Sequence, residues 1–181
     1  VANPWYRRKA VAELDRAFDD GLCGLYLCPS RQGFRLTESL VDPLLERCAE
    51  RGRPVYACLS TPVCAMPLQL AELARRFPDV PFVMGHFAWV DFAGYDAIPA
   101  ARQAPNIFLE TSCAVGLLVR QAVEALGAER LLFGSGYPRS RPEWELAKIR
   151  RLGLSPDQAE AILFRNGCRL WALEPAERIS S

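Results

Sequence analysis

The chain has 181 residues, half of them apolar and 24% charged, an ordinary globular composition and enough for one domain. With a net charge of +1, nothing points to nucleic acid or an anionic membrane surface as the main partner. No apolar run reaches the ~18 residues that a membrane-spanning helix needs.

Short apolar strands alternate with amphipathic helices. Val11, Leu14 and Phe18 fall at helical spacing, and Gly21 follows as a stop. Residues 24–28 read as a buried strand closed by Pro29, and residues 31–39 as a polar loop. Asp42 and Pro43 read as N-cap and first position of the next helix, with Leu44, Leu45 and Cys48 on its inner face and Gly52 at its end. Residues 54–58 form the second strand, 67–77 a helix and 81–86 the third strand. Residues 91–103 read as helical with a break near Pro99, and Asp91 as a cap. A strand over 106–110, a helix over 115–126 stopped by Gly127, and a fifth strand over 130–134 follow. Of two closing helices, one starts near Pro142 and the other carries a capping box, Ser155 with Gln158.

Strands apolar on both faces and separated by helices imply a parallel sheet covered by helices, with right-handed crossovers. No linker interrupts the pattern, so residues 1–181 read as one α/β domain. Five βα units make either an open doubly wound sheet or the larger part of a (β/α)8 barrel. Length favours the open sheet, since a full barrel takes ~250 residues. The seven cysteines are Cys23, Cys28, Cys48, Cys58, Cys64, Cys113 and Cys168. Their odd number and apolar settings read as mostly buried free thiols in a reducing, cytoplasmic location. No basic-then-apolar leader is visible at the N-terminus. Val1 is not an initiator Met, and reads as a processed or engineered end or the cut edge of a longer chain.

Six segments, in order, resemble the amidohydrolase superfamily, in particular the amidohydrolase-related branch of metal-dependent hydrolases and decarboxylases. They are Gly24-Leu25-Tyr26-Leu27, Arg53-Pro54-Val55-Tyr56, and the run from Arg76 to His86; then Asn106-Ile107-Phe108-Leu109-Glu110-Thr111-Ser112, Arg130-Leu131-Leu132-Phe133-Gly134-Ser135-Gly136-Tyr137-Pro138, and Asn166-Gly167-Cys168-Arg169-Leu170-Trp171-Ala172-Leu173. The resemblance implies the later five-eighths of a TIM-type (β/α)8 barrel, with strands one to three before Val1. It also implies a divalent metal, zinc first, and hydrolysis or decarboxylation of a small molecule. The family's His-x-His pair is absent. Cys58 stands where a His is usual, and Gly136 stands where an Asp binds metal and handles the proton of the attacking water. Of these ligands His86, the single histidine, is retained. A catalytic zinc needs about three protein ligands and a base, so activity is expected to be weak or lost.

Cys28, Cys58 and His86 end three neighbouring strands, where active sites of such barrels lie. They are candidate metal ligands, with Cys113 as a fourth. The alternatives are small residues filling an apolar mouth, a satisfied rim histidine, and, least favoured, Cys58 as a nucleophile. Glu110 and Arg139 are candidate substrate contacts. Glu110 and Ser112 otherwise read as caps of the next helix, and Arg139 and Arg141 as a solvated rim. Trp5, Trp89 and Trp144 read as packing residues, and Arg7-Arg8-Lys9 as a solvated helix face. The function expected is a divergent amidohydrolase, or a non-catalytic partner of an active paralogue. Open sheet edges invite a homo-oligomer or a complex with that paralogue.

Overall fold

The structure is a computed structural model and describes residues 2–59, 63–89 and 92–173. Five parallel strands, β1 (Leu25–Leu27), β2 (Val55–Cys58), β3 (Phe82–Gly85), β4 (Ile107–Glu110) and β5 (Leu131–Leu132), form one sheet in consecutive order. A doubly wound sheet reverses direction at a switch point. The consecutive order instead identifies an arc of a (β/α)8 barrel, which decides between the two architectures.

Helices α1 (Arg8–Asp19), α2 (Pro29–Gln32), α3 (Asp42–Glu50), α4 (Pro67–Arg76), α5 (Ala97–Gln103), α6 (Gly116–Leu126), α7 (Pro142–Arg150), α8 (Pro156–Glu160) and α9 (Asn166–Trp171) fill the connections. A π-helical turn, Ala161–Arg165, joins α8 to α9. The expected polar loop after β1 holds α2, because Pro29 supplies the fixed φ of a first helical turn. Asp42 does not cap α3. It lies inside the helix after Val41, and its carboxylate pairs with Arg76 instead. The break near Pro99 is a change from a 3-10 turn, Phe92–Asp96, to α5. Asp91 lies outside the described residues. The capping box at Ser155 and Gln158 forms as the spacing predicts.

The strand pleat sorts the side chains. Leu25, Leu27, Val55, Ala57, Phe82, Met84, Ile107, Leu109 and Leu131 face the helices and join one core with Leu14, Leu44, Leu45, Leu70 and Leu73. The other face carries Tyr26, Tyr56, Val83 and Phe108 in one register row. Cys58, Gly85, Glu110 and Leu132 form the next. This face is not apolar throughout, as the sequence suggested, and Tyr26 is partly exposed. Three polar side chains clip the strand starts. Asn106 donates to the Ala74, Phe77 and Val80 carbonyls at 2.8–3.0 Å. Asn166 donates to those of Ala128 and Leu131, and Arg130 to those of Ala101, Ala104 and Ile107.

Trp171 reaches from α9 to the start of β1, where a Cβ on Gly24 would sit 2.4 Å from its ring. Trp5 and Trp144 are not packing residues of the core: both are mostly exposed, Trp5 donating to the Gln32 carbonyl and Trp144 lying under Arg141. Arg7, Arg8 and Lys9 are exposed, as expected. Three cysteines, Cys28, Cys48 and Cys58, are buried and the other four half-buried, all as free thiols. Among the described residues no helix is long and apolar enough to cross a membrane.

Candidate functional site

The C-terminal ends of β2 to β5 converge on Glu110. Its side chain rises from the inner face of β4 between two glycines. A Cβ on Gly134 would sit 1.7 Å from Oε1, and one on Gly85 would sit 2.5 Å from the Tyr56 ring. The carboxylate accepts four hydrogen bonds. Tyr56 Oη–H (2.8 Å), the His86 backbone N–H (2.9 Å) and Ser112 Oγ–H (2.9 Å) donate to Oε2, and the Ser112 backbone N–H donates to Oε1 (2.6 Å).

Ser112 gives its hydroxyl proton to Glu110, so its oxygen accepts from His86 Nδ1–H at 2.7 Å. The chain Glu110–Ser112–His86 thereby assigns the imidazole tautomer and leaves Nε2 as the nitrogen available to the cavity. Burial lowers the His86 pKa from its usual 6.5, the nearby Glu110 opposes that shift and Arg139 adds to it. The ring is therefore neutral at pH 7, a base rather than an acid. Burial, then Glu110, pushes the Tyr56 hydroxyl up and keeps it protonated as a donor.

His86, Phe87, Ala88 and Trp89 all have positive φ, from 52° to 66°. Such geometry costs an L-residue roughly 1–2 kcal/mol. Burial of Phe87 and Ala88 and the His86 N–H bond to Glu110 hold the turn. On the far side, Lys148 binds the Thr111 and Ala114 carbonyls and the Glu145 carboxylate, which accepts from the Cys113 N–H. This buried pair braces the Ser112 loop from α7. Glu110 and Ser112 do not cap α6, whose N-cap is Val115 without a side-chain bond.

Cys28 and Cys58 do come together, beside Tyr26. Tyr26 stacks on Tyr56 at 5.6 Å, and both thiols, after burial, push its hydroxyl pKa up. Burial opposes the Cys28 thiolate, but hydrogen bonds from the Arg31 backbone, Ser30, Cys58 and Tyr26 outweigh it and lower the thiol. Burial pushes Cys58 up and, with Glu145 and Glu110, Cys113 too. Both effects disfavour the standing thiolate that a zinc site, or a catalytic nucleophile at Cys58, would need at rest.

Two adjoining cavities share Tyr56, His86, Gly136 and Tyr137. One, of about 300 Å³, reaches Glu110, Val83 and Trp171. The other, of about 470 Å³, adds Tyr26, Arg31 and Arg139. Arg139 lies over the Trp89 ring at 4.9 Å, which places a guanidinium at the rim. A larger hollow of about 840 Å³ lies elsewhere, between Trp5 and Leu40, away from this titratable cluster.

The residues present do not fit a catalytic divalent metal. Among the described residues, no three His, Cys, Asp or Glu side chains converge to hold one. Cys28, Cys58 and His86 do not converge in this way, and Glu110 has its acceptors filled. Gly136 carries no donor, and its φ of +63° with a would-be Cβ 3.1 Å from Ser112 Cβ leaves little room for one.

The sequence matches the amidohydrolase family over residues 1–173. No curated protein matches it. Solved structures do. An uncharacterized TIM-barrel protein from Bordetella bronchiseptica superposes with a TM-score of 0.81 at 24% identity, covering 92% of this chain and 63% of that one. The 5-carboxyvanillate decarboxylase of Sphingomonas paucimobilis gives 0.73 at 17%, covering 91% and 63%. A dihydroxybenzoic acid decarboxylase from Polaromonas sp., solved with manganese and the inhibitor 2-nitroresorcinol, gives 0.73 at 16%, covering 98% and 68%. The chain spans less than two thirds of the first two barrels. At these identities the likeness speaks for the fold, a partial barrel, and not for the reaction.

Proposed function

Since the chain belongs to the amidohydrolase family, we propose that it is a divergent member that holds a small carboxylic acid at the strand ends, with metal-dependent hydrolysis or decarboxylation weak or lost. The observation that carries this reading is the filled Glu110 carboxylate: its four protein donors leave it poorly placed to bind metal. The two guanidiniums that line the larger cavity, Arg31 and Arg139, suit an anionic ligand, since arginine pairs bidentately with carboxylates. Tyr26 and Tyr56 offer ring faces for an aromatic one. His86 Nε2 is the group that would accept a proton from bound water or ligand, held in place by Ser112 and Glu110. Zinc, expected from Cys28, Cys58 and His86, would need other ligands, and no step is routed through it.

The test is calorimetric titration of the purified chain with a dihydroxybenzoate, alongside turnover assays with and without manganese or zinc. Binding heat that Arg139→Gln weakens about tenfold (~1.4 kcal/mol), without metal-stimulated turnover, is expected. Turnover that rises with one equivalent of tightly bound metal would overturn the reading. The second reading, a non-catalytic partner of an active paralogue, draws support from Gly136 and from the outer edge of β1, which pairs with no strand among the described residues. Light scattering of the chain alone and mixed with a full-length paralogue tests it, as it tests a homo-oligomer: a monomer in both would sink both ideas.

A further inference from the structure

We propose that Cys28 and Cys58 are a dithiol site for hydroperoxides, oxidised to a disulfide that ties the ends of β1 and β2 at the rim of the cavity. The sheet register brings them together. Leu27 pairs with Ala57, so Cys28, the residue just past the end of β1, follows that pair beside Cys58, the last residue of β2. Parallel strands lie about 4.7–4.9 Å apart, inside the ~4.4–6.8 Å Cα separation of disulfides. The two thiols and the Tyr26 hydroxyl lie close enough to shift one another's titration. The other five cysteines lie at neither of these two strand ends.

The two sulfurs differ in surroundings. Cys28 Sγ lies 3.8 Å from Ser30 Oγ, and the Arg31 backbone beside it also lowers the thiol, surroundings that favour a thiolate. Cys58 is the last residue of β2, and burial pushes its thiol up. Tyr26 and Arg31, on either side of Cys28 in sequence, line the larger cavity, and each cysteine keeps 5% exposure. Cys28 thiolate attacks one peroxide oxygen. The O–O bond breaks, hydroxide leaves and is protonated to water, and Cys28 becomes a sulfenic acid. Cys58 then loses its proton and attacks the Cys28 sulfur. The S–S bond forms, the S–O bond breaks, and the departing hydroxide takes that proton as a second water. Two thiols lose two electrons, which reduce one peroxide. Side chains at opposed register positions run side by side, so bridging must draw their Cβ atoms inward; that strain keeps the bond reducible by dithiols.

The test treats the native chain with hydrogen peroxide, blocks free thiols with N-ethylmaleimide and maps peptides by mass spectrometry. A linked pair of peptides carrying Cys28 and Cys58, lighter by two hydrogens and restored by dithiothreitol, is expected in the majority of chains. In Cys58→Ser, dimedone should label Cys28 severalfold more than in the unaltered chain, because the resolving thiol is gone. Both cysteines remaining as free thiols, Cys28 passing to sulfinic acid with Cys58 free, or either one linking to a different cysteine would each overturn the proposal. The wild-type map stands even where the variant folds poorly.

Discussion

Glu110→Gln tests the inner face most directly. Four donors meet the Glu110 carboxylate, two backbone N–H groups and two hydroxyls. An amide offers one oxygen and two donors of its own. The Tyr56 and Ser112 hydroxyls can turn to accept, but whichever way the amide sits, the His86 or the Ser112 N–H faces an NH2 group. An orphaned buried donor costs about 1–3 kcal/mol, and the remaining bonds lose their charge assistance. The expected destabilisation is therefore about 2–4 kcal/mol, or a Tm fall of roughly 5–15 °C for a chain of this size. The charge effect is separable. His86 Nδ1 lies 3.5 Å from Oε2. Glu110 opposes the depression of His86, so its removal should lower that pKa further. His86 is the one histidine, and its ring Cε1–H signal gives a single NMR titration curve. Titration at an unchanged or higher pH, in a variant that still folds, would refute the electrostatic reading. Stability within ~0.5 kcal/mol of wild type, inside surface-substitution noise, would refute the hydrogen-bond reading.

Three further outcomes follow from the same geometry. Gly136→Asp, which returns the family's carboxylate, should lower stability by about 1–2 kcal/mol in urea unfolding and give no metal-stimulated turnover, because the backbone there has positive φ and a Cβ would crowd Ser112 and Cys113. Asn106→Ala should lower unfolding free energy by about 2–4 kcal/mol, measured by denaturant titration, since the Ala74, Phe77 and Val80 carbonyls lose the same donor. Below its ordinary value of 6.5 the folded chain binds fewer protons at His86 than the unfolded one, burial being the main cause. This contribution to stability is whole above about pH 6.5 and is lost as pH falls toward the folded pKa. Urea midpoints should decline over that window in wild type and not in His86→Gln.

The parallel sheet with its helices was legible because short apolar runs, helix stops and prolines agree along the chain, whereas the barrel arc came from the family resemblance, since length favoured an open sheet. The register that sets Cys28 beside Cys58 follows from the same reading. The relay was not legible. Glu110 and Ser112 sit just before a helix, where short polar residues usually cap, and only the β4 pleat shows that Glu110 points inward. Tyr26 and Tyr56 were passed over as apolar strand residues. Their signal was available, since they occupy the same alternate positions as Cys28 and Cys58. Lys148 and Glu145 look like an ordinary surface pair on α7, and only tertiary packing buries them. Trp5 and Trp144 misled in the opposite direction, because large aromatic rings at chain ends and loop exits need not reach the core.

Gly85 and Gly134 constrain the order in which this mouth can change over descent. The Tyr56 ring occupies the place of a side chain at Gly85, and the Glu110 carboxylate that of one at Gly134. A mutation at either glycine is harmful while its large neighbour remains and harmless once that neighbour has been shortened. Any lineage that refits this pocket must therefore lose Tyr56 or Glu110 first, and the four positions should be inherited as two linked pairs.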